Sequence, residues 1–168
     1  MRIWILAAGA LLLSACAADR DPPAAQPAFY VSMASAGARL DAEVAASMIS
    51  GYRKNNGLDA VEIDSQLMRM AEDQSTAMAK RDKLDHNVGK AFKDRLKASG
   101  FDAALAVENI SAGYHTLAEA FSGWRDSPPH RANMLKSGAT RMGIAATYAP
   151  GSKYKVFWTL VLAAPDKN

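Results

Sequence analysis

The sequence predicts an α+β fold, a three-layer α/β/α sandwich built on a small antiparallel sheet. Three observations carry that expectation. Apolar residues recur with helical spacing between about residues 40 and 98. One strand-like run interrupts them near residue 105, and two apolar runs joined by a turn close the chain. Helices first and paired strands last, without regular alternation, imply a sheet covered by helices on both faces rather than a βαβ repeat.

Each element follows from local chemistry. Leu40, Val44, Met48 and Tyr52 recur every four residues, Asp41 can cap the start, and Asn55-Asn56-Gly57 supplies a left-handed stop, so the first helix lies between them. Ile63, Leu67, Met70, Ala71 and Met78 make the apolar stripe of a second helix, running behind Asp64 and Ser65 to about Lys83. A shorter helix from Lys90 to Ala98 is expected to bury Phe92 and Leu96 and to end at Gly100. Leu105 to Ile110 then reads as a strand, ended by Gly113. Thr116 and Glu119 fit a capping box ahead of the stripe Leu117, Ala120, Phe121 and Trp124, and Pro128-Pro129 is expected to stop that helix. Met142 to Tyr148 and Tyr154 to Leu162 complete the pattern as two strands of a hairpin, with Ala149-Pro150-Gly151-Ser152 as the turn.

The chain has 168 residues, 49% of them hydrophobic, which suits one domain of ordinary size. Its 20 Lys and Arg against 17 Asp and Glu are scattered without a basic run, so nothing points to nucleic acid. No glycine-rich phosphate loop is present, which removes the simplest nucleotide site. A single cysteine cannot form an internal disulfide, so the fold must hold by core packing alone, and a monomer is expected.

That cysteine has another use. Arg2 is followed by an apolar run from Ile3 to Leu13 that meets Asp19 and Arg20 too soon to span a membrane. The run ends in Leu13-Ser14-Ala15-Cys16, which has the form of a bacterial lipobox. Residues 1–15 are therefore read as a signal peptide and Cys16 as the lipidated N-terminus that holds the protein to a membrane. Two or three acyl chains would hold firmly, each buried methylene adding roughly 0.8 kcal/mol. Ala17 rather than Asp follows Cys16, so the inner-membrane retention signal is absent and the outer membrane is the expected destination. Residues 16–37 are rich in Ala, Pro and Ser and read as a tether, which leaves 38–168 as the domain.

Within the domain, four stretches occur in the order seen in bacterial CAP (SCP-like) domains. They are Leu67-Met68-Arg69-Met70-Ala71 with Ser75 and Met78-Ala79, then Leu84-Asp85-His86, then Glu108-Asn109-Ile110 with Gly113, then Trp124 through Leu135. The chain resembles that family over about residues 40 to 163, with Phe157-Trp158-Thr159 similar to its last strand. The resemblance implies an α/β/α sandwich with a cleft in which two histidines and acidic residues converge and can bind a divalent metal. His86, Glu108 and His130 match three of those positions. Imidazole nitrogens and a carboxylate are ligand types that Zn²⁺ accepts, so zinc is the expected metal, and the sequence separation means that only the fold can gather them. Glu108 also stands in an apolar run, where a buried carboxylate needs a partner or a pocket.

One position departs from the pattern. Larger family members carry a second glutamate shortly after this tryptophan, whereas Arg125-Asp126-Ser127 stands here, so Asp126 is the substitute candidate. Glu119 is given to its capping box. Asn109 is a ligand-binding candidate whose amide can instead organise adjacent backbone. His86 can end a helix and His130 can hold a loop, Arg131 can pair with Asp126, His115 reads as exposed, and Trp124 and Trp158 read as core.

Asp126, Ser127 and His130 invite a serine-hydrolase reading, but no Gly-x-Ser-x-Gly elbow exposes the serine and Ser127 before Pro128 suits a turn. A glycosidase needs two carboxylates astride a sugar, and only Glu108 is a good candidate. Two function classes remain. The leading one is a binding module for a lipid, a cell-wall fragment or a partner protein. The alternative is a metal-assisted hydrolase, with His86 and His130 as ligands and Glu108 as a ligand or general base.

Overall fold

The computed structural model describes residues 26–166. The signal peptide, Cys16 and the start of the tether lie outside the described residues.

Helix α1 (Ala42–Asn55) begins where Asp41 accepts a hydrogen bond from the Val44 N–H. A two-residue strand β1 (Glu62–Ile63) precedes helix α2 (Ser65–Arg81), which Asp64 caps through the Gln66 and Leu67 N–H groups. Ile63 therefore belongs to a strand, not to the helical stripe its spacing suggested. Helix α3 (Phe92–Ser99) starts two residues later than expected and ends on Gly100 at φ 77°, a left-handed conformation that favours glycine. Phe92 and Leu96 are only half-buried, and the buried side chain of α3 is Arg95.

Strand β2 (Ala103–Ala112) leads to α4 (Leu117–Asp126), where the Thr116–Glu119 capping box is complete. The prolines do not simply end α4. Pro128 and Pro129 open a further helix, α5 (Pro128–Met134), because the first helical positions need no intrahelical N–H and favour proline's fixed φ. Strands β3 (Arg141–Ala149) and β4 (Lys155–Pro165) form the expected hairpin.

The sheet has four strands in the order β1-β3-β4-β2. It is mixed rather than purely antiparallel: β4 pairs antiparallel with both neighbours, but β1 joins β3 in parallel. Period-two alternation in β4 separates the layers. Trp158, Leu160 and Leu162 pack with Ile49 of α1, Trp124 of α4 and Met134 of α5 on one face. Phe157, Val161 and Ala163 face the other way, where Leu67, Ala71 and Met78 of α2 cover them. Gly143 of β3 lets α2 lie this close, since a Cβ there would fall 2.1 Å from the Leu67 backbone.

A second buried cation ties the layers at their ends. Arg53 of α1 is 1% exposed, and its guanidinium donates to the carbonyls of Asp59, Met134, Lys136 and Ala139 at 2.8–3.0 Å. Part of the segment read as tether also packs on the domain. Ala28–Tyr30 forms a 3-10 turn, and Met33 is buried with its N–H donating to the His115 carbonyl at 2.6 Å.

Candidate functional site

The site is built round β2, an edge strand that among the described residues pairs with β4 alone. Adjacent residues of a strand point to opposite faces, so Glu108 and Asn109 serve different layers. Glu108, in phase with Ala106 and Ile110, turns toward α2 and α3. Asn109 turns toward α5.

Glu108 has the partner its apolar surroundings require. Arg95 of α3 meets it in a two-toothed pair, Nη1 to Oε2 at 2.8 Å and Nη2 to Oε1 at 2.9 Å. His86 Nδ1 bonds the same Oε1 at 2.8 Å. The side chains of Arg95 and Glu108 are 8% and 2% exposed, while that of His86 is 49% exposed. Arg95 also donates to the carbonyls of His86 and Lys90, which fixes the loop between α2 and α3. Sequence reasoning passed over Arg95. The available signal was its place at three residues after Phe92 and one before Leu96, on the apolar side of a short helix.

On the other layer, Asn109 and Asn133 dock α5 against the strand. Asn109 Nδ2 donates to the His130 carbonyl at 2.9 Å, and Asn133 Nδ2 donates both to Asn109 Oδ1 at 2.9 Å and to the Glu108 carbonyl at 3.0 Å. Asn109 thus organises backbone and sets the position of His130. The His130 ring bonds Ser127 Oγ through Nδ1 at 2.8 Å. Burial, and then the neighbouring charge of His86, hold the His130 imidazole below its ordinary pKa of 6.5. Among the described residues no hydrogen bond engages Nε2 of His86 or of His130.

The remaining candidates lie apart from this cluster. Asp126 is exposed and paired with Arg125, at 2.8 and 3.1 Å, rather than with Arg131. That hydrogen bond holds its carboxyl below the usual carboxylate range. Glu119 accepts from the His115 and Thr116 N–H groups, and is committed to the helix start.

Glu108 is poorly placed to be a direct ligand of a divalent cation. Both oxygens of Glu108 are already occupied, and a cation placed on them would face the guanidinium of Arg95. His86 and His130 each bond through Nδ1, one to a carboxylate and one to a hydroxyl, which leaves Nε2 as the nitrogen each could offer to a cation. Among the described residues no three His, Cys, Asp or Glu side chains form a group able to hold a metal. What the geometry offers is two histidines with Nε2 unbonded among the described residues, one held by the Arg95–Glu108 pair and the other by Ser127 and by the asparagines that dock α5.

The comparisons agree with this architecture. The Bacillus subtilis (strain 168) protein YkwD is 31% identical over 100 residues, covering 58% of this chain and 38% of its own length. An extracellular protein containing an SCP domain from Bacillus anthracis str. Ames superposes with a TM-score of 0.64 at 24% identity, over 73% of this chain and 39% of that one. An outer surface protein from Borrelia burgdorferi gives a TM-score of 0.65 at 18% identity, over 74% of this chain and 92% of that one. The chain thus spans well under half the length of YkwD, and the two structural likenesses show the fold. The family model described as CAP, the cysteine-rich secretory protein family, matches residues 46–162, and the chain belongs to that family.

Proposed function

We propose that this protein is a cell-envelope binding module, exported and anchored through lipidated Cys16 in the outer membrane, with its CAP domain presented to envelope-derived ligands. The observation that supports recognition over catalysis is the state of Glu108. Arg95 and His86 engage both carboxylate oxygens, so to act as a general base or a metal ligand Glu108 would have to give up part of a buried ion pair. The pair instead fixes the loop that carries His86, and the asparagines fix the helix that carries His130. Preorganised side chains lose little freedom on binding, which suits a surface that holds a lipid headgroup, a cell-wall fragment or a partner protein. The extracellular and outer-surface descriptions of the similar proteins support an extracytoplasmic location.

Hydrolysis is the second reading, and one contact favours it. Ser127 Oγ lies 2.8 Å from His130 Nδ1, and the lowered pKa of that imidazole keeps it neutral and able to accept a proton. The third member of a triad is not in place, because Asp126 turns to Arg125, and Ser127, the N-cap residue of α5, makes no side-chain bond to the helix N–H groups and instead holds the His130 ring. A metal-assisted route gains no support from the occupied Glu108.

The deciding experiment incubates the full-length protein in detergent with envelope lipids, digested cell wall and solubilised envelope proteins, and follows binding and product together. Saturable binding without product supports the module. Product whose release is lost in Ser127→Ala and His130→Gln overturns it in favour of hydrolysis, and neither binding nor product overturns it as well.

A further inference from the structure

A concave site lies between α2 and α3. It is a cleft of about 370 Å³, in the range of small-ligand pockets, and neither His86, Glu108 nor His130 lines it. Its wall is shared with the clamp through Arg95, whose charge is already committed to Glu108.

The floor carries an unmade hydrogen bond. Gln74 lines the cleft, is fully buried on the inner stripe of α2, and donates through Nε2 to the Asp85 carbonyl at 2.8 Å. Because a carbonyl can only accept, that bond fixes which end of the amide is which. Gln74 Oε1 is left with no partner. A buried amide oxygen without a donor is costly, and because Oε1 is closed to solvent in this conformation, an N–H or O–H from a ligand in the cleft would meet it after a shift of the Gln74 side chain.

The rim supplies the second element. Arg69 and Lys90 are exposed, line the cleft, and take part in no ion pair among the described residues, while Asp73 is the one acidic side chain in the lining. Two cations against one anion favour a ligand with a negative group. The third element is apolar, since Met70 and Val88 stand in the same wall.

We infer that this cleft binds the carboxyl end of a short peptide with aliphatic side chains. A backbone N–H answers Gln74 Oε1, the terminal carboxylate answers Arg69 and Lys90, and small aliphatic groups lie against Met70 and Val88. A fatty acid lacks the N–H, and inorganic phosphate lacks the aliphatic part. The inference is separate from the recognition edge around His86 and His130 and holds whether or not that edge binds a ligand.

The test is NMR titration of the full-length protein in detergent with the dipeptide N-acetyl-Ala-Val, beside its C-terminal amide, decanoate and inorganic phosphate. Saturable shifts are expected at the Ala77 and Gly89 amides, with binding weakened about tenfold or more by amidation, as loss of a charge-assisted bond implies. The Arg69→Gln/Lys90→Gln variant, changed only at exposed positions, should show the same weakening. Gln74→Leu should weaken the peptide and its amide alike. Four results overturn the proposal: no saturation by about 10 mM, a range in which weak contacts already register; equal binding of acid and amide; tighter binding of decanoate or phosphate; or shifts centred on His86 and His130.

Discussion

Arg95 and Glu108 form a buried, two-toothed ion pair that joins α3 to β2, with both N–O distances under 3 Å. Taking two charges out of water is expensive, and the pair holds because each carboxylate oxygen is met and the guanidinium's other bonds reach loop carbonyls. Removing one partner leaves a buried charge alone. Arg95→Met is therefore expected to destabilise the domain by about 3–5 kcal/mol. Arg95→Met combined with Glu108→Leu should recover much of that loss, and denaturant unfolding of the three proteins checks the cycle.

The same pair sets the expected response to metal. With Glu108 occupied, Zn²⁺ should bind the full-length protein no more tightly than it binds the His86→Ala/His130→Ala variant. Calorimetric titration reads the difference. A loss of about tenfold or more in the variant, or about 1.4 kcal/mol, would show that the two histidines hold a cation despite the occupied Glu108.

Arg53 makes a different kind of buried cation, with four carbonyl acceptors and no carboxylate bond. Burial lowers its pKa, with the charge of Asp59 acting in the opposite direction. Arg53→Met keeps the aliphatic bulk but strands those carbonyls, each at a cost of about 1–3 kcal/mol where water cannot reach. A drop of ~3 kcal/mol or more in unfolding free energy is expected, and a near-neutral change would mean that solvent replaces the guanidinium.

His130 gives the domain a pH dependence of known sign. Its pKa in the folded state lies below the ordinary 6.5, so below that pH the unfolded chain binds the proton more readily. The contribution to stability is complete above about pH 6.5 and is lost as pH falls toward the lowered value. Thermal unfolding at neutral pH and near pH 5 should show a smaller acid-side decline in His130→Gln than in the parent. An equal or steeper decline in the variant would contradict the burial of this imidazole.

Anchoring is tested at the other end of the chain. Cys16→Ala should move the protein from the membrane to the soluble fraction after cell breakage and centrifugation, because the acyl chains have no other attachment in this reading. Membrane association that persists would reject lipidation as the tether.

Much of the architecture can be read before any coordinate is seen. The caps at Asp41, Asp64 and Thr116 stand where side-chain spacing puts them, because capping depends on groups within one turn of each other. The Met142–Tyr148 and Tyr154–Leu162 runs pair as a hairpin because the turn between them is local. Errors arise where one local pattern permits two outcomes. Pro128-Pro129 can end a helix or begin one, and Ile63 fits a helical stripe while its backbone pairs with Met142. Met33 lies in an Ala- and Pro-rich segment, yet the domain offers it a place to bury.

The candidate site divides in the same way. Sequence by itself determined the inventory: two histidines, a glutamate needing a buried partner, and an asparagine suited to bridging backbone. Only the tertiary structure decided how these groups are spent. Arg95 lies 13 residues from Glu108, and His86 lies 22 residues from it, so neither periodicity nor capping rules link them. Alternation along β2 then sends Glu108 to one layer and Asn109 to the other. The physical reason is that spacing fixes what a residue can do within a turn or a strand, whereas the partner that neutralises a buried charge is chosen by long-range packing, which local spacing does not reveal.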